Sequence, residues 1–262
     1  SEDWQLQKQG ALAQMANSEF WESAERFAIL GIAEYMDRIE TGFSTARRLL
    51  NRLIGPNPGE RNQYSPALIQ RLAQQLYLIE AACQGLAENK PQDAFVLIES
   101  SSDPAIDAQS TVAFARQIAQ MYQHWAEKRR MRHKILQEIS GNGKQSYRML
   151  LAIAGYAAFR ILEDESGLHV LEYPAKEGSG KSFLRSKVRV QVISQPPEPA
   201  ENIADGLLKQ ALHCFETSDS DGKLTIVRRY REAPSPLVRD SIKNWRTGRL
   251  DRVLGGDFDL IL

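Results

Sequence analysis

The segment Ala175-Lys176-Glu177-Gly178-Ser179-Gly180-Lys181-Ser182 has the outline of a phosphate-binding loop: a small residue, four intervening residues, then Gly-Lys-Ser. In such a loop the lysine reaches the terminal phosphates. A helix starts at once, so that its first N–H groups point at them. Here the following residues alternate instead, with Phe183, Val188, Val190 and Val192 against Arg185, Lys187, Arg189 and Gln191. That is the period of a strand. The segment therefore reads as a basic hairpin loop without the helix that cradling a phosphate needs.

Other chemistry is sparse. The four histidines, His124, His133, His169 and His213, stand at no helical spacing from one another or from a cysteine. A zinc site needs three or four convergent ligands, so no metal site is expected. Asp219-Ser220-Asp221-Gly222 lacks the length and terminal Glu of a calcium loop and reads as a turn. No nucleophile elbow is present, and neither catalytic residues nor a cofactor are expected.

Cations do cluster. One group is Lys128, Arg129, Arg130, Arg132, His133 and Lys134. A second is Lys176, Lys181, Arg185, Lys187 and Arg189, and a third Arg228, Arg229 and Arg231. A fourth, Arg239, Lys243, Arg246, Arg249 and Arg252, is read along a last helix and turn. Such clustering permits a phosphate-binding face. Interspersed acids equally permit ordinary solvated faces.

The elements that position these residues follow from periodicity. Residues 17–54 carry the stripe Phe20, Trp21, Ala24, Phe27, Ala28, Tyr35, Ile39, Phe43, Ala46, Leu50 and Leu53, which predicts one long amphipathic helix. Gly55-Pro56-Asn57-Pro58-Gly59 ends it, and Ser65-Pro66 opens a second helix with Leu68, Ile69, Leu72, Leu76, Ile79, Cys83 and Leu86. The two make an antiparallel hairpin, in which Cys83 is a core thiol. Strands are predicted at 94–98, 134–139, 147–154, 182–193 and 224–227, with helices at 107–129, 157–162 and 203–215. The sum is an α+β chain: a helical hairpin over residues 1–91, then a mixed α/β domain over 92–262. With 262 residues, no net charge and two cysteines, the composition fits a reducing cytoplasmic protein. No apolar run approaches the roughly 20 residues of a membrane span, and the acidic start Ser1-Glu2-Asp3-Trp4 does not resemble a secretory signal.

Several segments together resemble bacterial class I peptide chain release factors, most closely the type that reads UGA. Phe20-Trp21-Glu22 resembles the entry to that family's helical domain. Ala94 to Glu99, Asp107-Ala108-Gln109 and Met121-Tyr122-Gln123-His124-Trp125-Ala126-Glu127 are similar to its strand-and-helix stretch. Gly167-Leu168-His169-Val170-Leu171 resembles a further segment. Val238-Arg239-Asp240, Thr247-Gly248, Leu250-Asp251, Val253-Leu254, Gly256-Asp257 and Asp259 match its tail without a gap. The family's catalytic Gly-Gly-Gln occurs nowhere in this sequence, and Ser-Pro-Phe is absent from the codon-reading position now held by residues 172–181.

The resemblance implies a release-factor-like protein without peptidyl-tRNA hydrolysis, with residues 196–222 a short replacement for the family's catalytic domain. It implies ribosome or RNA binding in translation regulation or rescue, with Lys176, Lys181, Arg185, Lys187, Arg189, Arg239, Lys243, Arg246 and Arg249 on phosphates. The neutral net charge leaves an alternative open: a repurposed protein-interaction module that has left the ribosome and has a protein partner.

Overall fold

The computed structural model describes residues 2–23, 25–55, 64–88, 93–100, 108–140, 146–155, 157–174, 183–196, 206–218 and 225–259. The chain divides into two compact units: Ser1–Pro91 with Pro196–Pro199 and Leu262, and Gln92–Gln195 with Ala200–Ile261.

The first unit is helical: α1 (Glu2–Met15), α2 (Arg26–Ile54) and α3 (Pro66–Ala87). α2 and α3 pack together, and Tyr35, Met36, Ile39, Leu49, Leu78, Ile79 and Ala82 are buried along them. α3 starts as expected with Pro66 in its first turn. Two expectations are corrected. The helix read over 17–54 is interrupted: Asn17 caps a 3-10 turn at Ser18–Glu22, and Ser23 Oγ accepts the Glu25 N–H before α2 begins. The apolar stripe is also wider than the buried face, since Trp21, Phe43, Leu50, Ile69 and Leu76 are exposed. α1 was not foreseen, because it buries only Ala11. Polar contacts hold it: Trp4 Nε1 donates to Glu40, and Lys8 pairs with Glu40 at 2.6 Å and Asp37 at 3.2 Å.

The second unit is built on one sheet of eight strands: β1 (Ala94–Ser100), β2 (Arg132–Ser140), β3 (Tyr147–Ala154), β4 (Gly167–Pro174), β5 (Phe183–Ser194), β6 (Ile226–Arg231), β7 (Leu237–Asp240) and β8 (Arg246–Thr247). Their order is β2-β3-β1-β5-β4-β6-β7-β8, and all neighbours are antiparallel except β4 and β6. Residues 183–194 form one long strand. β6 joins the sheet that contains β1, as the sequence expects.

Helix α4 (Ala108–Lys128) lies on one face, where Thr111 bonds Ser186 of β5. Helix α6 (Gly206–Thr217) covers part of the other: its Ala211 is buried with Phe95, Leu97, Leu150 and Ala152, and Leu207, Leu208 and Leu212 pack against them. β1 is thus covered on both faces, and its run of apolar residues is buried throughout. The helix expected at 203–215, within the segment read as a short replacement, is α6 and packs against the sheet. A short helix α5 (Ala158–Leu162) precedes β4. The end of the chain, read as helix and turn, is instead β7, β8 and the short helix α7 (Leu250–Leu254). Four-residue and two-residue strands are too short to show alternation.

Candidate nucleic-acid interface

Register decides which cations share a surface. Across the sheet Arg185 stands opposite Glu172, Lys187 opposite Val170 and Arg189 opposite Leu168. Val170 in turn stands opposite Arg229, and Glu172 opposite Arg231. Arg229 stands opposite Arg239, and Arg239 opposite Arg246. Directly opposed residues project to the same side of a sheet. Arg185, Lys187, Arg189, Arg229, Arg231, Arg239 and Arg246 therefore lie on one face, spread over β5, β4, β6, β7 and β8. At strand spacing this is about 19 Å wide.

It is the face opposite α4, next to the part that α6 covers. Glu172 lies among them, within 3.5 Å of Arg185 and 3.3 Å of Arg229, and Glu99 of β1 stands opposite Arg189. The Arg185 side chain keeps 56% of its exposure beside Glu172. Arg231 lies over the Phe183 ring at 6.0 Å. An array of this kind can neutralise a run of phosphates.

The expected residues are thus partly assembled. Arg185, Lys187, Arg189, Arg239 and Arg246 come together. Lys243 lies in the turn after β7, where its N–H donates to Asp240 Oδ1 at 2.7 Å, and Arg249 is exposed just ahead of α7. The basic tail is therefore a strand-and-turn array, not a helical one. Lys176 and Lys181, with the phosphate-loop lookalike, lie outside the described residues. Pro174 and Phe183, which flank that loop, are paired, and Phe183 onward is a strand where a phosphate loop needs a helix. Arg229 and Arg231 belong to the array although the sequence set them apart in another cluster. Their alternation with Arg228 and Tyr230 was the available signal.

Two clustered cations are removed from any surface. Arg129 is buried against Asp259, which also accepts from Trp125 Nε1 at 2.8 Å. Arg228 is fully buried on the α4 face. It forms a two-pronged pair with Glu165 at 2.8 and 3.1 Å and donates to Asp240 at 2.6 and 2.9 Å. Burial works against its charge, but Glu165, Tyr230 and Asp240 hold its pKa well above the ordinary value.

The same pocket of polar groups holds Tyr122, His169 and Tyr230. Tyr122 donates to Glu165 at 3.1 Å, while His169 meets Tyr230 at 2.9 Å and the Glu165 carbonyl at 3.2 Å. Burial, then the positive charge of Arg228, lowers the His169 pKa from its ordinary 6.5 to about 3. With its proton on Nε2, neutral His169 donates to the Glu165 carbonyl and accepts from Tyr230. Burial and the nearby carboxylate raise the Tyr122 phenol.

The residues that carry the family resemblance are largely these internal ones. Tyr122 and Trp125 of α4, His169 of β4, Asp240 of β7 and Asp259 are buried in this packing. At Gly256, with φ of +95°, a Cβ would meet the Trp125 backbone N at 2.5 Å. Only a glycine lets the tail come that close to α4. Asp257 then pairs with Lys128 at 3.0 Å. Among the described residues no group of three or more His, Cys, Asp or Glu is arranged to hold a metal. No helix among them is long and apolar enough to cross a membrane.

Comparison with known proteins agrees on the class. A model of the PCRF domain matches residues 68–182. The chain is release-factor-like, in sequence over that segment and in fold over nearly its whole length. Peptide chain release factor 2 of Proteus mirabilis (strain HI4320) is 24% identical over 176 residues, which cover 64% of this chain and 47% of that protein. The chain thus spans about half the length of the curated relative it matches. The solved structure of RF2 of Thermus thermophilus shares the fold, with a TM-score of 0.53, 15% identity, and coverage of 97% of this chain and 92% of that one.

Proposed function

We propose that this chain is a translation protein of the cytoplasm, related to the UGA-reading release factors, that binds ribosomal RNA without hydrolysing peptidyl-tRNA. The observation that carries the reading is the open basic face, on which seven cations from four strands are aligned by register. The chain as a whole is neutral, so the concentration of charge on one face is an organised local feature. Most of the affinity for a nucleic acid comes from such phosphate neutralisation.

The second half of the proposal rests on sequence. Positioning water against an ester needs a preorganised group, and the family's Gly-Gly-Gln tripeptide does not occur in these 262 residues. The alternative of a protein-interaction module that has left the ribosome predicts no retention on ribosomes at any salt.

The test is co-sedimentation with purified ribosomes at low and high salt, together with a peptide-release assay. The reading expects salt-sensitive co-sedimentation and release at background. Release by the chain alone would overturn the second half of the reading. Absence from the ribosome pellet at low salt would overturn the first.

A further inference from the structure

Between β4, β6 and β7 the open face holds a small cavity of about 140 Å³, lined by Glu172, Arg229, Tyr230, Arg231, Leu237 and Arg239. Sites for whole small ligands begin at roughly 300 Å³. This one admits a single compact group and not a nucleotide.

Three guanidinium groups and one carboxylate border it. The carboxylate is already shared: Arg229 Nη1 lies 3.3 Å and Arg185 Nε 3.5 Å from Glu172 Oε1. Arg231 Nε donates to the Ser235 carbonyl at 3.4 Å, and Arg231 has no carboxylate partner among the described residues. Arg239 is exposed and has no ion pair among them. Register adds to the imbalance. Arg229 stands directly opposite Arg239, and Arg239 opposite Arg246. Like charges directly opposed across strands are destabilising, and here three arginines stand in line. An anion in the cavity turns that repulsion into attraction.

We propose that this cavity holds the terminal phosphate monoester of an RNA strand. The inference rests on the RNA-binding reading and adds which part of the strand is anchored. A monoester carries roughly two negative charges at pH 7 and three acceptor oxygens, so it answers Arg231 and Arg239 together. A guanidinium matches phosphate geometry with two parallel N–H groups. An internal diester carries one charge, and its chain would have to enter and leave a cavity sized for one group. Arg185 and Arg246, on either side of the cavity, stand where the diesters next to the end would pass. That favours an RNA end over a phosphorylated protein side chain. The same chemistry has a second source, free inorganic phosphate.

The experiment is fluorescence anisotropy of a short unstructured RNA with the whole chain. The RNA is used with hydroxyls at both ends, with a 5′-phosphate, and with a 3′-phosphate. One phosphorylated form is expected to bind at least about tenfold tighter than the hydroxyl form. Arg239→Met, at an exposed position, should bring that ratio to within about twofold of unity, with circular dichroism matching the wild type. Lys187→Glu lies outside the cavity and should weaken all forms while keeping the ratio.

Inorganic phosphate separates the two sources. A preference that persists in about 1 mM phosphate supports the RNA end, and one that phosphate at that level abolishes assigns the cavity to the free anion instead. Equal binding of the three forms overturns the proposal, as does an undiminished ratio in Arg239→Met, or no binding of any form at about 0.1 mM protein. So does a phosphoserine peptide that binds as tightly as the phosphorylated RNA. Ribosome sedimentation tests the wider reading separately. A chain that sediments with ribosomes but shows no end preference loses this site alone. A chain with the end preference that stays out of the ribosome pellet keeps the site and loses the ribosome.

Discussion

The strands β4, β6 and β7 show two faces that differ in how charge is handled. Under α4, Arg228 is enclosed with Glu165 and Asp240, and its donors are turned inward to them. One residue along the same strand, Arg229 projects to the open side and pairs with Glu172 while its side chain keeps 37% of its exposure. Arg239 and Asp240 repeat the contrast on β7: the first is exposed and the second buried. The alternation of a strand, not the local density of cations, assigns each arginine its task. The residues that make the chain resemble release factors stand mostly on the enclosed side, so the resemblance reports a shared scaffold. The open side is where the proposed RNA contact would lie.

That contrast can be broken most severely at Arg228. Arg228→Met leaves two buried carboxylates without their cation and should cost about 3–5 kcal/mol in urea unfolding. Arg229→Met, its immediate neighbour, should stay within about 0.5 kcal/mol. Equal losses in the two variants would erase the distinction between the faces.

Gly256→Ala attacks the enclosed side from the tail. The added methyl meets the α4 backbone at 2.5 Å in a left-handed conformation. A destabilisation of about 1–3 kcal/mol is expected, together with an altered Trp125 fluorescence as the tail lifts.

A titration sharpens the comparison further. In the folded chain His169 refuses a proton until about pH 3, whereas the unfolded chain takes one near pH 6.5. The unfolded state therefore binds more protons throughout that window, and stability falls as pH drops through it. The decrease should reach about 2 kcal/mol by pH 5. Unfolding of His169→Gln, followed from pH 7 to 5, should show a flatter profile than the wild type. Parallel profiles would remove His169 from the account.

Much of the sheet was legible because its strands are long. β3 was foreseen over its full span, 147–154, and the alternation of Val188, Val190 and Val192 with Arg185, Lys187 and Arg189 announced a strand with one open face. β7 and β8 were not legible, being too short for any period. α1 escaped because Trp4 and Lys8 hold it by polar contacts, which leave no apolar stripe. Long-range pairing was the hardest feature to read: nothing near Arg228 in sequence reveals Glu165, 63 residues away, as its partner. The assembly of Arg185, Arg229, Arg239 and Arg246 into one face likewise exists only after strand order is known.

The central claim is that the open face, and not the mere presence of arginines, contacts RNA. Its most direct test is the slope of log affinity for ribosomes against log salt concentration. The wild type is compared with a variant carrying Arg185→Glu, Lys187→Glu, Arg239→Glu and Arg246→Glu. These exposed or half-buried positions should tolerate the change with about 0.5 kcal/mol or less each. The account predicts that the slope flattens by roughly one unit for each phosphate no longer neutralised, up to about four in all. A folded quadruple variant with the wild-type slope and affinity would contradict it.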